Sequence, residues 1–141
     1  LVAGAKAGFV YTDWPMMNGA VFPPVEWGKG AIAFLHDQGL VQFNHRIGAY
    51  VLLAAGTAYA IHAWRWRLAE GLGVSAFMLA GLLWLQAALG VVTLMHAVPI
   101  ALGALHQAVA ALVLGAATVN LWLVRRSRPR LFMSGPRSTV L

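Results

Sequence analysis

Two histidines carry the chemistry open to this sequence. His45 stands in the phrase VQFNHRIGAY and His106 in ALGALHQA, each a few residues inside a long apolar stretch. An ionisable side chain inside a membrane helix is costly and marks function by default. His45 lies about five residues from the start of its stretch and His106 about six or seven; at about 1.5 Å of rise per residue, both imidazoles reach a depth of roughly 8–10 Å. Two neutral imidazoles facing each other at one depth are what a haem iron with two axial histidines needs. Small neighbours leave room for a flat macrocycle: Gly48, Ala49 and Gly56 follow His45, and Gly103, Ala110 and Ala117 flank His106. The same small residues also let helices pack closely with nothing between them, so it is the matched histidines that favour haem.

Arg46 and Gln107, each adjacent to a candidate ligand, are the further candidates for cofactor binding. A guanidinium at this depth can snorkel to water or pair with a haem propionate through two hydrogen bonds. Gln42 and Gln107 can serve propionates or a ligand imidazole, or can bond across helices. The other histidines fit less well. His62 is about 25 Å further along the helix of His45, beside Trp64 and Arg65. His36 falls in a polar loop. His96, in the turn before Pro99, is the one substitute ligand the pattern offers.

The elements that must position these residues follow from composition. Only 10% of the 141 residues are charged and the mean hydropathy is +0.72; soluble domains carry roughly 25% charged residues. Three stretches, 40–63, 72–95 and 99–124, are long enough to cross a hydrocarbon core of about 30 Å, which takes about 20 helical residues. The expected fold is therefore all-α, a polytopic transmembrane helical bundle in one domain, with the lipid bilayer as its solvent. Pro99 opens the third helix, where its missing N–H does no harm. The segment 9–39 is rich in Gly, Pro and aromatic residues and reads as an outer, periplasmic loop. Within it Trp14 and Trp27 suit the membrane interface, and 31–36 reads as one short interfacial helix. Residues 1–8 read as the last turns of a transmembrane helix that starts further upstream, and 125–141 as a basic tail, disordered at its end.

The net charge of +6 does not describe a nucleic-acid-binding face, because the basic residues cluster between and after the apolar runs. Arg65 and Arg67 lie in the link after the first helix, and Arg125, Arg126, Arg128, Arg130 and Arg137 follow the third. By the positive-inside rule both places are cytoplasmic, so the loop 9–39 and the turn at 95–99 face outward. With no cysteine, disulfides, thiolate zinc sites and iron–sulfur clusters are excluded.

The phrases LVAGAKAGFVYTDWPMMNG, FPP, VQFNHRIGAY, QAALGVVTLMHAVP and ALGALHQA, in this order and placement, resemble the C-terminal half of the haem A synthase family of bacteria and mitochondria. The resemblance implies half of an eight-helix protein with two-fold pseudo-symmetry, in a multi-pass inner (plasma) membrane setting. It implies an oxidoreductase acting on a CH or CH2 group: haem O is the substrate, and a ring methyl becomes the formyl group of haem A for cytochrome oxidase. The pair His45 and His106 matches the family's ligands to a haem b cofactor. Catalytic residues are not assigned on this chain, because the family's catalytic carboxylate belongs to the N-terminal half. That half is the implied partner, haem O synthase is a candidate partner, and the present residues alone are expected to be inactive. The alternative is a membrane cytochrome with two histidine ligands acting only in electron transfer.

Overall fold

The computed structural model describes residues 6–24, 30, 32, 36–66 and 70–127. Three helices dominate: α1, Gln38–Arg65; α2, Glu70–Met95; and α3, Ile100–Ser127. Each contains a stretch long and apolar enough to cross a membrane. Their lengths of 28, 26 and 28 residues correspond to about 40 Å of helix, some 10 Å more than a hydrocarbon core. Among the described residues the expected all-α transmembrane bundle is present, with a single isolated bridge, Met17–Ala20, in the loop. The sequence expectations for residues 1–5, for most of the short helix at 31–36, for Arg67 and for the tail from 128 lie outside the described residues.

The helices extend past the apolar runs at their polar ends. Asp37 caps α1, its carboxylate accepting the backbone N–H of Leu40 at 2.8 Å, which satisfies one of the free donors of the first turn. At the far end Arg65 belongs to the last turn of α1, and Arg125 and Arg126 to that of α3, with Arg126 lying over the Trp122 ring at 5.0 Å. Arginine is a good helix former and its charge suits a helix C-terminus, so the helix outlasts the hydropathy signal.

The central helix α2 packs against both α1 and α3, and runs antiparallel to each as short connections require. Consequently α1 and α3 run parallel, and they meet through side chains at two levels. At the arginine end Asn120, 6% exposed, accepts a hydrogen bond from Tyr59 at 2.9 Å and donates to Ser75 at 3.0 Å, tying all three helices. Trp84 adds an α2–α1 bond to Thr57 at 3.1 Å. At the other level stand the two histidines. Most large apolar side chains of the helices point outward, among them Val51, Leu114 and Trp122, as lipid or further helices would require.

The turn between α2 and α3 is tight. Val98 donates to Thr93 O at 2.9 Å and Ala97 to Leu94 O at 3.0 Å, closing the helix with Ala97 and Val98 both in the left-handed region, at φ 57° and 55°. Pro99 O then accepts the N–H of Gly103 at 2.9 Å and α3 begins.

Over the same end of the bundle, residues 6–24 form a loop held by α1. Arg46, 8% exposed, donates to four backbone carbonyls: Nη1 to Met16 at 3.0 Å and Pro15 at 3.3 Å, Nη2 to Asp13 at 2.9 Å and Tyr11 at 3.5 Å. Gln42 donates to Tyr11 O at 2.8 Å and Trp14 to the Tyr50 hydroxyl at 3.0 Å. Beneath these bonds Met17, Leu40 and Val41 are almost fully buried. The Met17–Ala20 turn places Asn18 and Gly19 at positive φ, and the Asn18 backbone N–H holds the Asp13 carboxyl below the usual carboxylate range.

Each charge-assisted hydrogen bond is worth roughly 1.5–3 kcal/mol, so Arg46→Met should destabilise the loop end by about 3 kcal/mol. Limited proteolysis in detergent checks this: new cleavage at 11–16 is expected in Arg46→Met, with the helices uncut. Protection equal to that of the wild type would show that Arg46 does not hold the loop.

Candidate functional site

His45 and His106 come together. They sit about seven residues into α1 and six into α3, at roughly 10 Å along parallel helices, and their ring centres are 6.5 Å apart with an interplanar angle of 77°. The two histidines matched in depth by the sequence lie close together. Two imidazoles on opposite sides of one iron, with bonds of about 2 Å and a further ~1.1 Å to each ring centre, stand roughly 6.3 Å apart. Rotation about the nitrogen–iron–nitrogen axis is free, so near-perpendicular rings suit such a pair as well as parallel ones.

Polar bonding around the rings fits a group not supplied by these side chains. His106 is half-buried and its Nδ1 is a buried atom without a hydrogen-bond partner. His45 is exposed on the face of α1, with open space above Gly48, where a Cβ would meet nothing within 4 Å. Among the described residues no three His, Cys, Asp or Glu side chains gather as a metal cluster; axial ligation of a haem needs only two.

The other candidates are distributed differently. Arg46 spends both terminal nitrogens on the loop carbonyls. Gln107, next to His106, is exposed. Gly56 serves helix packing, since a Cβ there would collide with Leu83 Cδ1 on α2. His96 is exposed, its Nδ1 at 2.8 Å from Val92 O in its own helix end. His62 is exposed near Trp66 at the arginine end, and His36 is exposed at the start of α1.

Two residues absent from the sequence-based candidates lie against His106, both on α2. Gln86 Nε2 is 3.2 Å from His106 Nε2 and donates to His106 O at 3.2 Å. Gly90, one turn further, supports the ring: a Cβ there would stand 3.0 Å from His106 Cε1. A glutamine and a glycine in an apolar helix carry no mark of this role; only the spacing of four, which puts both on one face, hinted at a shared neighbour.

Fold and site together define a multi-helix membrane protein with two imidazoles close together near one end of the bundle. The chain belongs to the cytochrome oxidase assembly protein family (COX15-CtaA), whose profile matches residues 1–118. It is 56% identical over 128 residues to the haem A synthase of Caulobacter vibrioides, covering 89% of this chain and 37% of that protein. Likewise it is 52% identical to the haem A synthase of Caulobacter sp. strain K31 over 89% of this chain and 37% of the relative. To that of Methylobacterium sp. strain 4-46 it is 46% identical over 85% of this chain and 34% of the relative. The chain therefore spans a little over a third of the length of these relatives. No solved structure matches it.

Because a Cβ at Gly90 would bear directly on the His106 ring, Gly90→Val should displace that imidazole and lower the melting temperature of the protein in detergent. Gly81→Val, with open space around its Cβ, is the control and should change nothing. Thermal melts of the two purified variants decide; melting temperatures equal to that of the wild type in both would dismiss the cradle.

Proposed function

We propose that this chain is the haem-b-binding half of a haem A synthase, with His45 and His106 as the axial ligands. The observation that carries the reading is the 6.5 Å separation of the two imidazole ring centres, reached from parallel helices at similar depth. The relatives' shared name supports the reaction: haem O is the substrate, and its ring methyl is oxidised to the formyl group of haem A, for cytochrome oxidase. A haem bound between these two histidines would supply one-electron transfer.

The chain's own residues do the following. His45 and His106 would hold the iron. Gly48 and Gly103 keep bulk away from the space beside the ligands, and Gly90 fixes the plane of His106. Arg46, Gln42 and Trp14 hold the loop across this end of the bundle and limit water at the site. Arg46 and Gln107 lie beside the ligands in sequence; the loop carbonyls take the guanidinium of the first, so Gln107 is the better placed for a propionate. The oxidation of the methyl group belongs, on this reading, to a second site. We assign that site, with the catalytic carboxylate, to the part of the relatives' length that this chain does not span. On this reading the N-terminal half is the essential partner, haem O synthase is a candidate partner delivering the substrate, and the chain alone binds haem without converting haem O.

The same reading sets the chain in the inner membrane as a multi-pass protein, with the loop 9–39 outside and the arginine end cytoplasmic, as the arginine distribution supports. An electron-transfer cytochrome would use the same ligands. The common name of the relatives favours the synthase.

His45→Ala and His106→Ala should each abolish the low-spin spectrum, since an apolar helix face offers no replacement for a metal–imidazole bond. His62→Ala and His96→Ala should leave it intact. Reduced-minus-oxidised spectra of the purified variants are the measurement, and an unchanged spectrum in His106→Ala would sink the assignment.

A further inference from the structure

We propose that residues 9–22 are immersed in the bilayer, their exposed apolar side chains lying among lipids at the edge of the hydrocarbon core. The inference needs only the three membrane-spanning helices and holds whether or not a haem is bound.

Depth comes first, because the loop runs down along α1 instead of standing above the bundle. Its carbonyls are held by Gln42 and Arg46, and the Trp14 indole donates to the Tyr50 hydroxyl at 3.0 Å. Gln42, Arg46 and Tyr50 follow Gln38 by about 6, 12 and 18 Å of helix. Helix α1 exceeds a hydrocarbon core by some 10 Å; with all of that excess at the loop end, Tyr50 would still lie about 8 Å inside the core. A helical side chain leans back over roughly one turn, about 5.4 Å. The Tyr50 hydroxyl and the indole bonded to it therefore reach the hydrocarbon edge or lie below it.

The loop is also chemically fit for that depth. Irregular backbone survives in a membrane only where its polar groups are satisfied within the protein. The carbonyls of Tyr11, Asp13, Pro15 and Met16 accept from Gln42 and Arg46, and Met17 and Ala20 exchange both of their backbone bonds. Pro15 has no N–H to satisfy. Asp13 is the one charged side chain between Ala7 and Pro24. Its carboxylate accepts from the Gly19 N–H at 3.4 Å, in the turn that also holds Asn18, and on this reading that turn faces the headgroups.

The rest of the loop's outer surface is largely apolar: Phe9, Trp14, Met16, Val21 and Phe22 are exposed, Val21 to 73%. This patch continues the outward face of α1. Phe22 packs edge-on to Phe43 with ring centres 5.0 Å apart, and Phe43, Ile47 and Tyr50, at i, i+4 and i+7, share one side of that helix. Ile47 and Tyr50 are themselves exposed. Below them the same side opens into the apolar groove of Leu53, Ala54 and Ile61 beside Trp84. A face that runs from a spanning helix onto the loop shares one solvent with it. Trp and Tyr, apolar bodies with polar tips, are the residues that a bilayer boundary selects.

The sequence has no cysteine, so single cysteines can carry a spin label in the full chain, reconstituted in phosphatidylcholine vesicles. Collision with oxygen, which concentrates in lipid, is compared with collision with a nickel chelate, which stays in water. Val51→Cys, on the outward face of α1, is the lipid reference, and Ser127→Cys, at the end of α3, the aqueous one. Labels at Trp14→Cys and Met16→Cys should give an oxygen-to-nickel ratio near that of Val51→Cys. A ratio near that of Ser127→Cys would overturn the proposal. Low collision rates with both reagents would overturn it too, because protein and not lipid would then cover the patch. Since Trp14→Cys removes the bond to Tyr50, Met16→Cys, which keeps it, decides alone if the two disagree.

Discussion

In hydrocarbon a polar group without a partner costs several kcal/mol, because no water replaces the missing bond. That constraint orders this bundle. At the arginine end Asn120, Tyr59 and Ser75 meet it for one another. At the loop end it is met by an exchange between side chains and backbone: Arg46 and Gln42 lie in the first turns of α1, and the loop carbonyls that would otherwise face an apolar surface accept from them. Among the described residues the buried side-chain atoms left without partners, on Gln42, Arg46, Gln86 and His106, all belong to the loop end. Those on Gln86 and His106 lie beside the imidazole pair.

The parallel course of α1 and α3 is the second condition for the site. It follows from one helix between two short connections, and it is what makes residue count along each helix a measure of shared depth. The tight turn at Ala97 and Val98, with both residues in the left-handed region, keeps α3 close against α2 and starts it at a fixed level. Strain of roughly 1–2 kcal/mol per such residue is tolerated because the turn's backbone bonds and the Pro99 start determine the geometry from both sides.

Much of this could be read from the residues. Hydropathy located the three helices, and counting from their starts matched His45 with His106. The helix ends were less legible, because Asp37, Arg65 and Arg125 to Ser127 extend helices by capping and propensity after apolarity has ceased. The partner of Arg46 was not legible: its acceptors are backbone carbonyls some thirty residues distant, and a carbonyl leaves no trace in residue type. Gln86 and Gly90 were hidden for a related reason. An amide in a membrane helix looks the same whether it bridges helices or serves a ligand, and a glycine that cradles a ring looks like one that permits close packing. Gly56 shows the converse, lying on the expected ligand side but facing Leu83.

Whether His45 and His106 together hold one haem, as proposed, is tested most directly by chemical rescue of His106→Gly. This variant should lose the low-spin spectrum, and free imidazole, entering the space left by the side chain, should restore it in a saturable manner; His45→Gly should behave alike. A low-spin spectrum in His106→Gly without added imidazole would contradict the proposed ligand pair, because the iron would then take its ligand from elsewhere.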